Sequence, residues 1–392
     1  MPSPAETDMP SPAETDMPST PPAPSRLALV PGILFGLLQL FLLSLGIRAL
    51  QWPAEGLSVL KGAWTAEVEI LLNQHVETRT LGVAFWSSLE FVIGQTGRKG
   101  VLVGSDGWLF SSEEFEQHPD ETERLAEKAR LVLAINTYLH AREITLMVAL
   151  LPSKSRVYHT HLGRYHVPAY AARRYEHFRQ TLEAGGLQVP DLYATLEAGK
   201  AETPMFLRTD THWTPAGAQR VAQKLAEQLR EKPFPGLSQT VFRAEPSPEL
   251  EVQGDLLAFL PVSPWSGFDI RSERIQPLRA VPPPTHTSAA LFGDASIPVV
   301  LVGTSYSVAS HGGFADALKL ELGAEVLNVA QEGRGPILPM LTYLENAAFR
   351  ETPPSVIVWE LPERYLPRQE DWSMHAELLQ TLGLMAPAGT GG

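Results

Sequence analysis

The chain has no cysteine, which excludes a disulfide, a thiolate metal site and a cysteine nucleophile. Any covalent chemistry must therefore come from oxygen or nitrogen groups. Positive charge is also scarce: 31 Lys and Arg stand against 44 Asp and Glu in 392 residues, a formal net charge of -13. Nucleic-acid binding needs clustered cations that displace counterions from phosphate, so this balance argues against such a partner. What is present is apolar material, 44% of the chain, enough for a buried core of one large or two ordinary domains.

The first 25 residues have nothing to bury. An octad, Met1 to Asp8, recurs as Met9 to Asp16 and leads into a Pro-rich run ending at Pro24, so residues 1–25 read as a disordered tail. Between Arg26 and Arg48 lies an uncharged apolar run, Leu27 to Ile47, of about 21 residues; at about 1.5 Å per residue it spans a hydrocarbon layer. Residues 26–48 are therefore expected as one transmembrane helix. A cleaved signal peptide would end in a small-residue site, which Leu45-Gly46-Ile47-Arg48-Ala49-Leu50 fits poorly. One Arg on each side leaves the orientation open. Residues 49–97 follow with Leu60, Trp64, Val68, Leu71 and Leu72 at helical spacing and read as a helical stalk.

From residue 98 the pattern becomes α/β. Val101-Leu102-Val103 and Trp108-Leu109-Phe110 flank Gly104-Ser105-Asp106-Gly107, a hairpin signal. Thr122 to Arg142 is helical in period, and Ile144 to Leu150 is a continuous apolar run of strand length, as a strand buried on both faces requires. Further strands are expected at Val189 to Leu192, Met205 to Leu207, Ile297 to Val302, Glu325 to Val329 and Val356 to Leu361. Helices are expected at Ala169 to Ala184, Pro215 to Arg230, Gly313 to Leu322 and Leu338 to Arg350. The alternation predicts a doubly wound, mainly parallel sheet over 98–368. Residues 231–296 lack it and read as an insertion over one end of the sheet, and 369–392 as a C-terminal tail.

Two stretches carry the chemistry. Thr209-Asp210-Thr211-His212-Trp213 precedes Thr214-Pro215, a helix-start signal, so Asp210 and His212 fall in a loop at the carboxyl edge of the sheet. There the carboxylate can hold the imidazole and leave its other nitrogen for a hydroxyl proton. Ser305 follows the apolar run Val299 to Val302 and Gly303, with backbone N–H groups after it that can face a developing oxyanion. Gly293-Asp294-Ala295 is a decoy, with alanine where a nucleophile would stand.

Arg208 to Thr214, Gly303 to Ser307 and Trp359 to Leu366 resemble the SGNH hydrolase-like domain of the alginate O-acetyltransferases, the AlgJ/AlgX-like group. Gly104 to Phe110 and Leu151-Pro152-Ser153-Lys154 match in kind and order, so the resemblance covers roughly residues 98 to 368. It implies Ser305 as nucleophile and Asp210 with His212 as the acid-base pair. In ordinary SGNH hydrolases a Gly-Asp-Ser block leads and the Asp-x-x-His block closes; here Asp-x-His comes first and Thr304 replaces the aspartate, an order the acetyltransferase group shares. The side chain completing the oxyanion site is left between Asn328 and Gln331.

The resemblance further implies transfer of acetyl groups to hydroxyls of an exported, alginate-like polysaccharide in the periplasm or outside the cell. A bacterial inner-membrane anchor, a multi-pass membrane acyltransferase as acetyl donor, other export components and no cofactor belong to that picture. The rival readings are a polysaccharide acetylesterase and a non-catalytic polysaccharide-binding scaffold. Lys154, Arg334 and Arg364 follow strand ends and are candidates to hold uronate carboxylates; Tyr306 and Trp213 are candidates to stack on a sugar, and His311 to touch substrate. His159, His161 and His166 lack a nearby carboxylate or cysteine to complete a metal set, so no metal is expected.

Overall fold

The computed structural model describes residues 35–37, 39–41, 44, 100–260, 272–283 and 297–385. The tail, the stalk, the Gly293-Asp294-Ala295 decoy and most of the expected anchor lie outside them. The anchor residues that are described are helical, and among the described residues no helix is long and apolar enough to cross a membrane.

Within residues 86–392, strands β1 (Val101–Val103) and β2 (Leu109–Ser111) form the expected hairpin. Its turn places Asp106 and Gly107 at φ 54° and 74°, the left-handed region that Gly favours and Asp tolerates. Helix α1 (Glu121–His140), strand β3 (Thr145–Leu151), the short α2 (Lys154–Val157), α3 (Ala169–Ala184), α4 (Leu192–Gly199) and α5 (Pro215–Glu231) follow. Strands β4 (Arg243–Pro246), β5 (Leu250–Val252), β6 (Glu273–Ile275) and β7 (Leu278–Val281) pair as two antiparallel ribbons, β4 with β7 and β5 with β6.

The α/β pattern resumes with β8 (Val299–Val302), α6 (Ser305–Val308), α7 (Phe314–Leu322), β9 (Val326–Asn328), α8 (Ile337–Glu345), α9 (Ala347–Glu351), β10 (Val356–Pro362) and α10 (Ala376–Thr381). The central sheet runs β3-β10-β8-β9, all parallel, with Val356 opposite both Thr145 and Val299. Alternation along each strand divides the core. Met147, Ala149, Leu301 and Val358 pack toward α5 and α7, while Val148, Leu150, Val302 and Trp359 pack toward α1, α3 and α8. A sheet covered on both faces explains why these strands read as unbroken apolar runs.

Four expectations about elements change. Val189 to Leu192 is not a strand: Asp191 follows Pro190 and accepts from Ala194 N, which starts α4 at Leu192. Met205 to Leu207 contributes a single bridge, Phe206 to Trp213, because the chain turns back on itself at once. The helix expected over Leu338 to Arg350 is divided at Asn346, whose side chain accepts from Ala348 N and opens a new helix. Residues 369–385, read from sequence as tail, add α10 to the body; Leu378 and Leu379 are buried in the second core cluster, and Lys128 reaches Glu370 at 2.7 Å.

Candidate active site

Val302 ends β8 on the carboxyl edge of the sheet, and Gly303 carries the chain past the neighbouring strand. A Cβ at Gly303 would lie 2.4 Å from Glu360 Oε2 and 2.8 Å from Glu360 Cβ, so only glycine fits there. Thr304 then caps the short helix α6, placing Ser305 half-buried at its first position. Glu360, at the same level on β10, accepts Thr304 N at 2.7 Å and Ser307 Oγ at 3.0 Å. Burial pushes the Glu360 carboxyl up, against the pull of the hydrogen bonds from Thr304 and Ser307.

The second loop is closed by Leu207 N to His212 O at 3.1 Å and Thr214 N to Met205 O at 3.0 Å. As expected, Thr214 then caps α5, accepting from Gly217 N with Pro215 at the first helical position. Its peptide groups are held from several sides. Lys154 Nζ donates to the carbonyls of Leu109, Arg208 and Asp210 at 2.7, 2.9 and 2.8 Å. Glu273 accepts from Arg208 N and Thr209 N, Asp255 from Thr211 N and Thr211 Oγ1, and Tyr306 donates its hydroxyl to Thr211 O.

These two loops bring Asp210, His212 and Ser305 into one hydrogen-bonded line. Asp210 Oδ1 lies 2.7 Å from His212 Nδ1, and His212 Nε2 lies 2.8 Å from Ser305 Oγ. Asp210 Oδ1 also accepts the His212 backbone N–H, and its other oxygen accepts Asp255 N at 2.9 Å. Burial alone would push the Asp210 carboxyl up, but the His212 ring and these N–H groups outweigh it and hold it well below the usual carboxylate range. With Nδ1 donating to that carboxylate, Nε2 is left to accept the serine proton.

Ser305 and His212 open into a cavity of about 790 Å³, whose lining includes Glu113, Asp255, Phe259 and Arg364. Arg364 is the candidate cation that reaches it. The residue is 7% exposed, its Nε makes no hydrogen bond but lies 3.9 Å from Glu113 Oε2, and its guanidinium lies over the Tyr306 ring at 5.4 Å.

The other expected substrate contacts are placed elsewhere. Lys154 is fully buried under the Asp-His loop, its pKa brought down to about 8 by burial against the pull of Glu114, Glu273, Asp210 and Asp255, so it meets no carboxylate of a ligand. Tyr306 and Trp213 are buried and packed on each other, with ring centres 5.4 Å apart, so neither offers a face to a sugar. Asn328 spends its amide on Ser307 O and Ala330 N, and Gln331 contributes its backbone N–H to Gly303 O; neither lines the cavity. Arg334 is exposed and, although Glu332 and Gly333 line the cavity, is not itself among the lining residues.

His311 stands edge-on to His212, ring centres 5.4 Å apart, with burial first among the causes that lower its pKa. Asp210, His212 and His311 hold ligand-type atoms within 4.8 Å of one another, but Asp210 and His212 already use theirs on each other. Of the other histidines, His161 contacts Asp106 Oδ2 at 3.2 Å and stacks on Trp108, while His159 lies against Arg156 O.

Sequence reading missed Glu360, Asp255 and Glu273. For Glu360 a signal existed, a lone carboxylate inside the apolar run Val356 to Leu361, and such a charge needs buried partners. Asp255 and Glu273 carried none, because they come from the segment without periodicity.

Comparison with known proteins points to one family. Residues 101–363 match the family model described as the SGNH hydrolase-like domain, acetyltransferase AlgX. The probable alginate O-acetylase AlgJ of Pseudomonas syringae pv. tomato is 38% identical over 319 residues, 80% of this chain and 81% of that protein. Its counterpart in Pseudomonas aeruginosa is 37% identical, covering 80% of this chain and 83% of that protein. The solved O-acetyltransferase domain of Pseudomonas putida AlgJ superposes with a TM-score of 0.65 at 36% identity, over 72% of this chain and 98% of that one.

Proposed function

Because the chain belongs to the family of SGNH hydrolase-like, AlgX-type acetyltransferase domains, we propose that it transfers acetyl groups through Ser305 to hydroxyls of an exported, alginate-like polysaccharide. The observation that carries this reading is the unbroken line from Asp210 through His212 to Ser305, at 2.7 and 2.8 Å, open to a cavity large enough for a sugar.

In the first half-reaction His212 Nε2 takes the Ser305 proton as Oγ bonds to the acetyl carbonyl carbon. The tetrahedral intermediate collapses, the donor's leaving group departs with the proton from His212, and acetyl-serine remains. In the second, a sugar hydroxyl gives its proton to His212, its oxygen attacks the same carbon, and Ser305 leaves and recovers the proton. Asp210 keeps the imidazole oriented and stabilises its charged form throughout. Water competes for the acetyl-serine, so transfer requires the sugar hydroxyl to be held closer and better aligned than water. Arg364 serves a carboxylate of the acceptor.

In this reading Leu27 to Ile47 anchors the chain in the bacterial inner membrane, with the domain in the periplasm. A multi-pass acyltransferase supplies the acetyl group and other export components deliver the polymer. Cells carrying Ser305→Ala test this: polymer acetylation is expected to disappear, and unchanged acetylation would sink it. The purified chain given a chromogenic acetyl ester and an oligosaccharide should yield acetylated sugar by mass spectrometry; acetate alone would mark an esterase.

A further inference from the structure

We propose that the Phe259 ring is the platform on which the acceptor sugar lies, an inference that rests on the acetyl-transfer reading above. Phe259 is 41% exposed and is the one exposed aromatic side chain among the described residues from 100 onward. Single exposed apolar side chains are ordinary on convex surfaces. This one lines the same cavity as Ser305 and His212.

The ring is also seated. Gly100 has φ +118°, and a Cβ there would fall 2.5 Å from Phe259 Cδ1, so the backbone can pack this closely on the ring only because residue 100 is glycine. No other aromatic side chain competes for the role. Tyr365 lines the cavity too, but the guanidinium carbons of Arg364 and Arg368 lie 5.1 and 5.6 Å from its ring centre. Tyr306 and Trp213 are buried.

The rest of the lining suits a pyranose. Glu116 and Glu332 bring carboxylates to the lining, which accept hydrogen bonds from hydroxyls, whereas the Glu113 and Asp255 carboxylates are engaged by Arg368 and by Thr211; Arg364 is the single Lys or Arg among the lining residues. A sugar has a C–H face for the phenyl ring and a rim of hydroxyls for the acids. Acidic side chains in the lining favour an acceptor that enters hydroxyl edge first, with any carboxylate turned toward Arg364. Holding the ring flat on Phe259 fixes which hydroxyl meets His212 Nε2, and so favours sugar over water.

The test uses the full-length chain with an acetyl ester and an oligouronate, and compares Phe259→Leu, which keeps apolar bulk beside Gly100 but no aromatic face, with Phe259→Trp. The ratio of acetylated sugar to acetate is expected to fall about tenfold in Phe259→Leu and to stay within about threefold in Phe259→Trp. In the inert Ser305→Ala chain, saccharide C–H protons should shift upfield in NMR through the ring current, and Phe259→Leu in that background should remove the shift. An unchanged ratio in Phe259→Leu, or no upfield shift with Phe259 intact, overturns the proposal. If the intact chain shifts the protons but forms no acetylated sugar, the platform stands and the transfer reading fails.

Discussion

Thr304 and Glu360 are joined across adjacent strands by three contacts: Thr304 N at 2.7 Å, and Thr304 Oγ1 at 2.9 and 3.1 Å from the two carboxylate oxygens. Both residues are essentially inaccessible to solvent. The residue immediately before Ser305 is thus fixed to the end of β10, so the nucleophile's position depends on a residue 55 positions after it in the chain.

Glu360→Ala should leave Thr304 N and Ser307 Oγ without acceptors in a buried setting, at a cost of about 3 kcal/mol. Thermal unfolding should show a drop of several degrees, and ester turnover should fall with it. Glu360→Gln, which keeps one carbonyl oxygen, should recover part of both. A Glu360→Ala chain as stable and active as the parent would refute the assigned role.

Ser305→Ala and His212→Ala should each lower kcat for ester turnover by about a thousandfold or more, and the double variant should lose little beyond either single one, because the pair acts as a unit. Additive losses would mean that the two side chains work independently. Steady-state kinetics on a chromogenic acetate decides between them.

Asp210 has its carboxyl held low in the folded state, so the unfolded chain binds more protons at this site as pH falls. Its contribution to stability is complete above the ordinary Asp value of about 3.9 and is lost progressively below it. Denaturant titrations of the parent and Asp210→Asn should differ by a constant amount from neutral pH down to about pH 5, and converge at lower pH.

Lys154 has the opposite environment: its folded pKa of about 8 lies below the ordinary lysine value. Between about pH 8 and 10.4 the unfolded chain binds more protons at this site than the folded one, so this group makes stability rise with pH. Lys154→Met should remove that rise. It also strips the carbonyls of Leu109, Arg208 and Asp210 of their shared donor, so kcat should drop more than acceptor affinity does.

Asp255→Ala keeps the backbone N–H that reaches Asp210 but removes both acceptors of Thr211. Loosening the loop this way should lower kcat about tenfold with a small change in KM, since misplacement by about 1 Å near a reacting group costs on that order or more. Asp255→Asn should restore most of the loss, and a rise in KM alone would point to a substrate contact instead.

The central sheet was legible in the sequence because strands buried on both faces read as apolar runs, as Leu146 to Leu151, Val299 to Val302 and Val356 to Trp359 do. The Thr214-Pro215 start of α5 was legible for a local reason too, since a cap acts within one turn. Val189 to Leu192 and Met205 to Leu207 misled: short apolar runs satisfy strand and non-strand burial equally, and Asp191 and the bridge to Trp213 decided the outcome.

At the site, sequence supplied the chemical types and their order: Asp210 two residues before His212, then Ser305 after an apolar run and a glycine. Those choices are local, because hydrogen-bonding reach between residues two apart and a tight turn at Gly303 need no distant partner. Only the tertiary structure decided that Lys154 sits under the loop instead of in the cleft, that Tyr306 braces Thr211, and that Glu360 and Asp255 hold the reacting loops. Burial of a charge or a ring depends on what packs over it from elsewhere in the chain, and no spacing along the sequence encodes that.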